Sequence, residues 1–371
     1  MKITCSTKDL NEALQHLLRA VPSNPQTPVL AGIHIKAEGS MLELQSTNLS
    51  LGIIVKIGVN TEIPGEIVIS GKYLQEIARK LPSDMVTMTN EGETGVVKIT
   101  SGNASFNLLS MNAEDFPKVK PPETYATFRV KSGIIKDAIR RTAYACSNDD
   151  TRPIFTGCYF EINGSSFNLV ATNTHRLALV KQHIADDVGE LRFIVPGQIL
   201  RDLYKMIDST DPGSIVTVDC GMKFAAFTFD NVYLTTRLID GQFPPYEKVI
   251  PRESTTFAVV NVAEMLETVD RVSLISKETE YNTIRFYFSA QDGLHISSNS
   301  PEVGRSDEWV NAKIEGEDVD ISFNVLYIAD VLKALDSEEC RIALTKSLAP
   351  ADIREVGNDN FIYVVTPVRT N

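Results

Sequence analysis

Cysteine and tryptophan are scarce in this sequence, with five cysteines and one tryptophan among 371 residues. The cysteines are dispersed without a Cys-x-x-Cys pair, which argues against a disulfide framework and a structural zinc site. The histidines are equally scattered, and their spacing indicates no metal site. No apolar run approaches the roughly 20 residues that cross a bilayer, and the first residues lack a signal-peptide core. We therefore expect a cytoplasmic protein without membrane contact and without a metal site.

Motifs that carry catalytic chemistry are also missing. The segment from Gly65 to Tyr73 looks like a phosphate-binding loop, but five residues separate its glycines instead of four, and Tyr73 replaces the required Ser or Thr. Gly-x-Gly-x-x-Gly, Gly-x-Ser-x-Gly and His-Glu-x-x-His do not occur. A hydrolase built on His175 stays open as an alternative, although a general base needs a partner and a nucleophile. None of these motifs therefore predicts a catalytic site.

The chain repeats itself three times. Thr47-Asn48, Thr172-Asn173 and Ser298-Asn299 each follow a strand-like run, and Phe116-Pro117 returns as Phe243-Pro244. Two helical patterns recur with them, each with the spacing of one helix face. They are Leu10, Leu14, Leu17, then Ile135, Ile139, Thr142, then Met265, Val269, Val272; and Leu74, Ile77, Leu81, then Leu200, Leu203, Ile207, then Ile328, Val331, Leu335. So long a period predicts repeated domains, since solenoid units span roughly 20–50 residues.

Strand-like runs rich in Val, Ile, Phe, Tyr and Thr lie between the helical patterns. Asn163-Gly164 and Asp292-Gly293 favour antiparallel hairpins. Each repeat thus predicts helix, strands, helix and strands, which is an α+β fold with two helices on antiparallel sheet. Pro-rich stretches at 117–122 and 244–251 mark the boundaries. We predict three similar domains over residues 1–124, 125–252 and 253–371.

Charge is distributed unevenly along the chain. The net charge of −12 opposes nucleic-acid binding at first sight, because cationic contacts to phosphate supply non-specific affinity. Distribution matters more than the total, and the helical segments 71–81, 131–145 and 197–207 are each net positive. Segment 261–276 is net negative and weakens the pattern. Helices that face a polyanion and ordinary solvated helix faces both stay open.

Four stretches of the sequence resemble the bacterial DNA polymerase III β subunit family, the replication sliding clamps. They are 171–178 (ATNTHRLA), 237–244 (RLIDGQFP), 323–328 (FNVLYI) and 363–369 (YVVTPVR). The resemblance covers the whole chain and its threefold repeat. It implies a DNA clamp fold of three tandem domains, with two chains joined head to tail in a ring around duplex DNA. It also implies a non-catalytic processivity factor with no catalytic residues and no cofactor, which a separate clamp loader opens using ATP.

The resemblance further implies a cleft for short peptides. Its partners would be the DNA polymerase III catalytic subunit, the clamp loader, and other polymerases and repair proteins that carry clamp-binding peptides. Apolar side chains would supply binding energy while a few polar groups fix the register. By resemblance the cleft residues are Phe155, Thr172, Thr174, His175, Arg176, Leu177, Pro244, Lys248, Val249, Asn324, Tyr327, Leu348, Val364, Val365, Thr366, Pro367, Val368 and Arg369. Thr174 stands where the family often has Gly or Ser, which indicates a narrower pocket or a shifted peptide preference.

Two further surfaces follow from the resemblance. The homodimer interface would join Phe106 and Leu108 to Leu274 and Ile275, and strand spacing places Phe106 and Leu108 on one face. That face is either interface or core. We assign double-stranded DNA to cations on the helices, and these are Lys72, Arg79, Lys80, Lys136, Arg140, Arg141, Arg201 and Lys205. The neutral loop 23–25 stands where some members carry a basic residue.

An acidic three-domain interaction scaffold that never encircles DNA is the other alternative. It would use the repeats for protein contacts alone. Salt-dependent association with duplex DNA distinguishes the two interpretations, because counterion release accompanies phosphate contact.

Overall fold

The computed structural model of the chain describes residues 1–90, 95–207, 211–276 and 282–369. Within these ranges the chain forms six α-helices, which lie where the apolar periodicity predicts them. They are α1 (Thr7–Leu17), α2 (Gly71–Ala78), α3 (Ser132–Thr142), α4 (Gly197–Met206), α5 (Val262–Ser276) and α6 (Val325–Ala334). The helix α1 begins at Ser6, whose side chain accepts a hydrogen bond from the backbone of Asp9 and caps the helix. Its periodic leucines are fully buried.

The strands are short and follow one another through tight turns. The first thirteen are β1 (Lys2–Ser6), β2 (Gly32–Glu38), β3 (Met41–Thr47), β4 (Leu51–Gly58), β5 (Asn60–Ile63), β6 (Gly65–Ser70), β7 (Met85–Asn90), β8 (Val96–Ser101), β9 (Ala104–Met111), β10 (Thr124–Lys131), β11 (Gly157–Asn163), β12 (Ser166–Thr172) and β13 (Arg176–His183). The others are β14 (Glu190–Pro196), β15 (Ile215–Gly221), β16 (Phe224–Phe229), β17 (Val232–Arg237), β18 (Thr256–Asn261), β19 (Thr283–Ser289), β20 (Gly293–Ser300), β21 (Gly304–Val310), β22 (Ala312–Gly316), β23 (Val319–Asn324), β24 (Glu339–Leu344), β25 (Ala351–Glu355) and β26 (Asn358–Val365).

The first of two compact units comprises Met1–Gly133 with Lys205–Leu238. Its strands form a sheet in the order β10-β15-β16-β17-β4-β3-β2-β6-β9-β8-β7-β1-β5, and each described pairing is antiparallel. The helices α1 and α2 pack on one another, and α1 also packs on β4. Leu10, Leu14 and Leu44 contribute to the core beneath them.

The second unit comprises Ile134–Tyr204 with Ile239–Asn371. It contains a nine-stranded sheet in the order β14-β11-β12-β13-β26-β25-β24-β18-β22 and a four-stranded sheet in the order β21-β20-β19-β23. The helices α5 and α6 pack together, and α5 lies against β20 and β21. The described pairings are antiparallel here too, so the predicted α+β class with helices on antiparallel sheets is confirmed.

Sheet pairing joins consecutive repeats rather than isolating them. In the first unit β17 of the second repeat pairs with β4 of the first, and Thr235 lies opposite Gly52. In the second unit β13 of the second repeat pairs with β26 of the third, with Leu177 opposite Val364. The compact units therefore cut through the second repeat. The domain boundaries at residues 124 and 252 stay predictions from the repeat.

Across the four described ranges, no helix has both the length and the apolar character that crossing a membrane demands. The same ranges hold no group of three or more His, Cys, Asp and Glu side chains placed to bind a metal ion. All five cysteines are free and buried.

Candidate partner-binding site

A tight turn between β12 and β13 forms the rim of the site. Thr172 Oγ1 donates to the carbonyl of Arg176 at 2.7 Å and accepts from the N–H of Thr174 at 3.1 Å. Asn173 Oδ1 accepts from the N–H groups of His175 and Arg176, each at 3.0 Å. These bonds hold Thr174 at φ 76°, in the left-handed region that β-branched residues rarely adopt. Thr174 and His175 are exposed as a result.

β13 and β26 supply an apolar floor beside this turn. Leu177 pairs with Val364 across the two strands, and Leu179 pairs with Ile362. Alternate residues of a strand share a face, so these four side chains lie on one face of the sheet. All four are buried and belong to one hydrophobic cluster.

The loop that follows residue 238 forms the wall. The ring of Phe243 stacks on Tyr159, with centroids 4.7 Å apart. The hydroxyl of Tyr246 donates to Glu161 Oε2 at 2.6 Å and accepts from Asn168 Nδ2 at 3.2 Å. Burial, together with the Glu161 carboxylate, raises the pKa of Tyr246 well above its usual value. The wall is thus anchored on β11 and β12 by stacking and by a protonated phenol.

Turn, floor and wall surround an open cavity of about 680 Å³, which we call the cleft. This volume is typical of sites that bind small ligands, which span roughly 300–1,000 Å³. The residues that line the cleft are Phe155, Thr172, Thr174, His175, Arg176, Leu177, Pro244, Pro245, Tyr246, Lys248, Val249, Ile250, Pro251, Arg252, Thr345, Ala349, Pro350, Val364 and Thr366. A mostly apolar lining with a few polar groups at the rim suits apolar side chains of a peptide.

Most of the predicted cleft residues come together at this cavity. Those in its lining are Phe155, Thr172, Thr174, His175, Arg176, Leu177, Pro244, Lys248, Val249, Val364 and Thr366. The predicted residues outside the lining are Asn324, Tyr327, Leu348, Val365, Pro367, Val368 and Arg369. The rim and floor are therefore assembled from segments that the resemblance named separately.

The residues outside the lining have other contacts. Asn324 caps α6 by accepting from the N–H of Leu326 at 2.9 Å. Val365 is fully buried, and alternation along β26 points it away from the face that carries Val364. Leu348 is 64% exposed. The hydroxyl of Tyr327 accepts from Asn173 Nδ2 at 3.2 Å, so Tyr327 still supports the turn at the rim.

Arg176 is the charged residue under the rim. It is buried, yet Nη1 donates to Asp330 Oδ2 at 2.6 Å and Nη2 donates to the carbonyl of Tyr144. Its guanidinium also stacks on Tyr327, 4.5 Å from the ring centroid. Burial opposes the charge, but Tyr363 and Asp330 outweigh that effect and raise the pKa of Arg176. Arg176 is thus a fixed cation that holds the turn on its support.

His175 contributes its backbone to the structure. Its carbonyl accepts from the N–H of Thr366 at 2.9 Å and from Thr366 Oγ1 at 3.0 Å, which joins the rim to the segment after β26. The hydrogen bonds described for His175 all use backbone atoms, so they supply no nucleophile and base pair for the hydrolase alternative.

The sequence did not reveal several lining residues, because the Pro-rich stretch 244–251 was predicted as a domain boundary. Pro245, Tyr246, Ile250 and Pro251 belong to this stretch. The available signal was that it also carries large apolar residues, which a solvated linker seldom contains. Arg252, Thr345, Ala349 and Pro350 had no such signal, since their contribution depends on the tertiary fold.

One predicted DNA-facing cation is placed elsewhere. Arg141 is 7% exposed, and its guanidinium contacts Asp137 at 2.8 Å, Asp336 at 2.7 Å and Glu355 at 2.9 Å. A buried cation with three carboxylate partners cannot turn to a phosphate without leaving those carboxylates unpaired. The assignment of Arg141 to DNA was therefore wrong. Arg140 shares two of these partners, Asp137 and Asp336, and is partly buried.

The other predicted cations differ in exposure. Lys72, Arg79, Lys80 and Lys205 are exposed. Arg201 donates to the carbonyl of Ala143 at 2.9 Å, and Lys136 lies over the ring of Tyr204.

The residues predicted for the dimer interface are partly accessible. Phe106 and Leu108 are half-buried on one side of β9, while Leu274 at the end of α5 is 63% exposed and Ile275 is half-buried.

Comparison with known proteins follows the order of the repeats. Residues 1–120 match the DNA polymerase III beta subunit, N-terminal domain; residues 129–245 match its central domain; and residues 247–369 match its C-terminal domain. The beta sliding clamp of Bacillus subtilis (strain 168) is 33% identical over 382 residues, with 100% of each chain covered. That of Synechococcus elongatus is 30% identical, with 100% of this chain and 99% of the relative covered.

Solved structures give the same result. The chain superimposes on the DNA polymerase sliding clamp from Bacillus subtilis with a TM-score of 0.95 and 32% identity over 100% of both chains. It superimposes on the sliding clamp (DNA polymerase III subunit beta) from Pseudomonas aeruginosa bound to griselimycin with a TM-score of 0.94 and 29% identity, again over 100% of both chains.

Proposed function

This chain belongs to the DNA polymerase III beta subunit family, and from that premise we propose that it acts as a DNA sliding clamp. Two copies form a ring around duplex DNA, and the cleft tethers polymerases and other partners. The observation that carries the proposal is the match of three beta-subunit domains, in order, along the whole chain. The predicted division at residues 124 and 252 supports three domains per copy and six per ring.

The proposed ring requires two different surfaces on each copy, because identical surfaces would close a dimer face to face. Residues 104–109 of β9 pair with β8, and the contact of β9 with β6 is confined to Ser110 and Met111. β21 ends its four-stranded sheet. Among the described strands, both therefore offer backbone groups to another chain. In the ring, β9 of one copy meets β21 of the next, with Phe106 and Leu108 against Leu274 and Ile275.

DNA is held by long-range attraction rather than by a tight contact. Lys72, Arg79, Lys80 and Lys205 are exposed cations in a chain of net charge −12. Contacts to phosphate carry no sequence information, so a few mobile side chains allow sliding. Lys136, Arg140 and Arg201 already have protein partners and contribute less.

The cleft gives the clamp its partners. Apolar side chains of a short peptide would fill the space above Leu177 and Val364, while the rim of Thr174 and His175 fixes the register. The peptides would come from the DNA polymerase III catalytic subunit, the clamp loader, and other polymerases and repair proteins. The chain performs no reaction itself and requires no cofactor.

The ring is tested by mass in solution and by electron-microscope images of the purified protein. We expect two copies and a central hole. Association with duplex DNA should weaken as the salt concentration rises, and a ring closed on circular DNA should be released when the circle is cut. Leu274→Ala with Ile275→Ala should give a monomer, whereas Leu326→Ala, at an exposed leucine of α6, should leave the dimer intact. A compact monomer of the unmodified chain, or retention that persists after the circle is cut, would contradict the ring.

The cleft is tested with griselimycin, the ligand of the Pseudomonas aeruginosa relative. Calorimetry should give one site per chain, and Val249→Asp should abolish binding because it places an unpaired charge in the apolar lining. Val303→Asp is a suitable control, since Val303 is 54% exposed and does not line the cleft. Equal affinity of both variants would place the ligand elsewhere.

A further inference from the structure

The cleft continues along the sheet into a second cavity of about 460 Å³, which we call the outer cavity. Tyr246, Ile250, Pro251 and Arg252 line both cavities, so they form a shared wall between them. The phenol of Tyr246 is held against β11 and β12 by its hydrogen bonds to Glu161 and Asn168. The wall is therefore a fixed ridge that a bound chain could cross.

The apolar floor runs under both cavities without a break. Leu177 and Val364 lie under the cleft, and the next residues on the same face, Leu179 and Ile362, lie under the outer cavity. Two residues of strand advance the floor by about 7 Å, which is close to the advance of an extended peptide over the same number of residues. A peptide that fills the cleft in extended form therefore reaches the outer cavity with its next residues.

The rim of the outer cavity carries an excess of available positive charge. Lys181 continues the face of Leu179 on β13, and Arg252 stands on the shared wall; both are exposed. Within the described part of the chain neither takes part in a salt bridge. Glu161 is held by Tyr246, and Arg354 is paired with Asp352 at 2.7 Å. That leaves Glu247 as the exposed carboxylate against two exposed cations.

We propose that the outer cavity binds an acidic extension of the partner peptides that occupy the cleft. An apolar side chain of the extension covers Leu179 and Ile362, and a neighbouring carboxylate lies between Lys181 and Arg252. This inference rests on the proposed function of the cleft. It distinguishes partners that share the same apolar anchor, because those with an acidic extension bind more tightly and displace those without one.

Fluorescein-labelled synthetic peptides of three kinds test the inference by anisotropy. The core peptide carries two adjacent large apolar residues for the cleft. The acidic peptide adds Leu-Asp-Asp to it, at the amino end in one version and at the carboxyl end in another, and the basic peptide replaces both Asp by Lys. We expect one acidic version to bind about 3- to 30-fold more tightly than the core, from apolar burial and two exposed ion pairs. The basic peptide should not show this gain.

Lys181→Glu tests the site itself, because Lys181 lines the outer cavity and is absent from the lining of the cleft. The variant should remove most of the gain of the acidic peptide and leave the core peptide unchanged. Lys313→Glu is the matched control, at a side chain 84% exposed on the edge strand β22, and it should change neither affinity. A benzophenone in place of the extension leucine should crosslink to residues 179–181 or to Arg252.

The outcomes separate this inference from the function on which it rests. If the core peptide binds but both acidic versions bind no better, or if the crosslink falls on Thr174 and His175 instead, the outer cavity is not the site and the cleft stands. A gain for the basic peptide, or a gain that survives Lys181→Glu, also overturns it. If neither griselimycin nor the core peptide binds, both proposals fail.

Discussion

The turn after β3 and the turn after β12 are built alike, yet they support different surfaces. Thr47 Oγ1 donates to the carbonyl of Leu51 at 2.8 Å and accepts from the N–H of Leu49 at 2.9 Å, as Thr172 does for Arg176 and Thr174. Asn48 Oδ1 accepts from the backbone N–H groups two and three residues further on, and Asn173 Oδ1 does the same in its own turn. Leu49 has φ 74° and Thr174 has φ 76°. The backbone frame is therefore common to both repeats.

The difference lies in the side chains that follow this frame. Gly52 stands where the second repeat has Leu177, and Val119 covers it so closely that a Cβ on Gly52 would lie 2.8 and 2.9 Å from its methyl groups. In the second repeat the residue equivalent to Val119 is Tyr246, which turns to Glu161 and leaves space above Leu177. One floor residue and one wall residue decide whether the shared turn borders a cleft.

Among these substitutions, Leu177→Ala should cause the largest loss of stability and of ligand affinity. It removes a buried floor residue, so we expect the free energy of unfolding to fall by about 2–5 kcal/mol and griselimycin affinity to fall with it. Urea unfolding and calorimetry measure the two effects. Leu234→Ala removes an equally buried leucine in the first unit and should lower stability alone. Retention of full affinity by Leu177→Ala would show that the floor does not contact the ligand.

Gly52→Leu places in the first repeat the residue type that the second repeat has at the equivalent position, Leu177. We expect a loss of about 1–3 kcal/mol, because the new side chain overlaps Val119. Adding Val119→Ala should restore much of that loss by vacating the position, and urea unfolding of the two single variants and the double variant gives the coupling. Simple additivity of the two substitutions would mean that Val119 does not cover Gly52 in solution.

Thr47→Val and Thr172→Val remove the same two hydrogen bonds from the two turns. Each should lower the free energy of unfolding by about 1–2 kcal/mol, since a hydrogen bond contributes about 0.5–1.5 kcal/mol net. Only Thr172→Val should weaken griselimycin binding, because Thr172 lines the cleft. Thermal unfolding with and without the ligand reports both quantities. A strong ligand effect of Thr47→Val would break the distinction between the turns.

Leu49→Gly and Thr174→Gly relax the two left-handed residues. Strain of this kind is worth about 1–3 kcal/mol, and the flexibility of glycine in the unfolded chain offsets part of it, so we expect a gain of at most about 1 kcal/mol. Differential scanning calorimetry measures the gain. Alanine at the same positions retains the Cβ and should give none. A larger gain at Thr174 than at Leu49 would indicate strain specific to the cleft.

Low pH should lower the local stability of residues 116–119, the segment that covers Gly52 in the first repeat. We expect this effect to be smaller than those of the substitutions above. Phe116 stacks on His34, which contacts Glu66, and Glu66 also binds Lys118. Burial lowers the pKa of His34 below 6.5 despite Glu66, so the unfolded chain binds the proton more readily. Stability contributed by this group is present above pH 6.5 and falls as the pH drops below it.

Hydrogen exchange in the segment 116–119 should therefore quicken between pH 7 and pH 5, after correction for the intrinsic exchange rate. His34→Gln should abolish the added pH dependence. The loop 243–246 is the internal control, because Phe243 stacks on Tyr159, which does not titrate in that range. Equal acid sensitivity of the two segments would exclude His34 as the cause.

The sequence predicted the elements well and their partners poorly. Apolar periodicity placed the six helices of the described ranges because each has buried apolar residues at the spacing of one helix face. Arg140 and Arg141 looked like part of a basic helix face. Two of the carboxylates that pair with Arg141 belong to Asp336 and Glu355, which are 195 and 214 residues further along the chain. A local pattern cannot reveal such distant charges.

The candidate site divides in the same way. The pair Thr172-Asn173 stood out in the sequence as a repeated feature after a strand, and these two residues close the turn 172–176 through local hydrogen bonds. The wall was not predicted, because the Pro-rich stretch around Tyr246 resembles a linker in sequence, and only the hydrogen bonds of Tyr246 to Glu161 and Asn168 show that it is fixed. The residues of the cleft came from the family resemblance rather than from the pattern.

The pairing of β13 with β26 also sets when a newly made chain becomes functional. His175 and Thr366 touch across 191 residues, and Leu177 meets Val364 beside them. During synthesis the first unit can acquire Val119 over Gly52 early, whereas the floor of the cleft needs a strand that the ribosome adds much later. A nascent chain that still lacks β26 can thus have Val119 over Gly52 and no complete floor to its cleft. Under the proposed function, such a chain would not yet bind partner peptides.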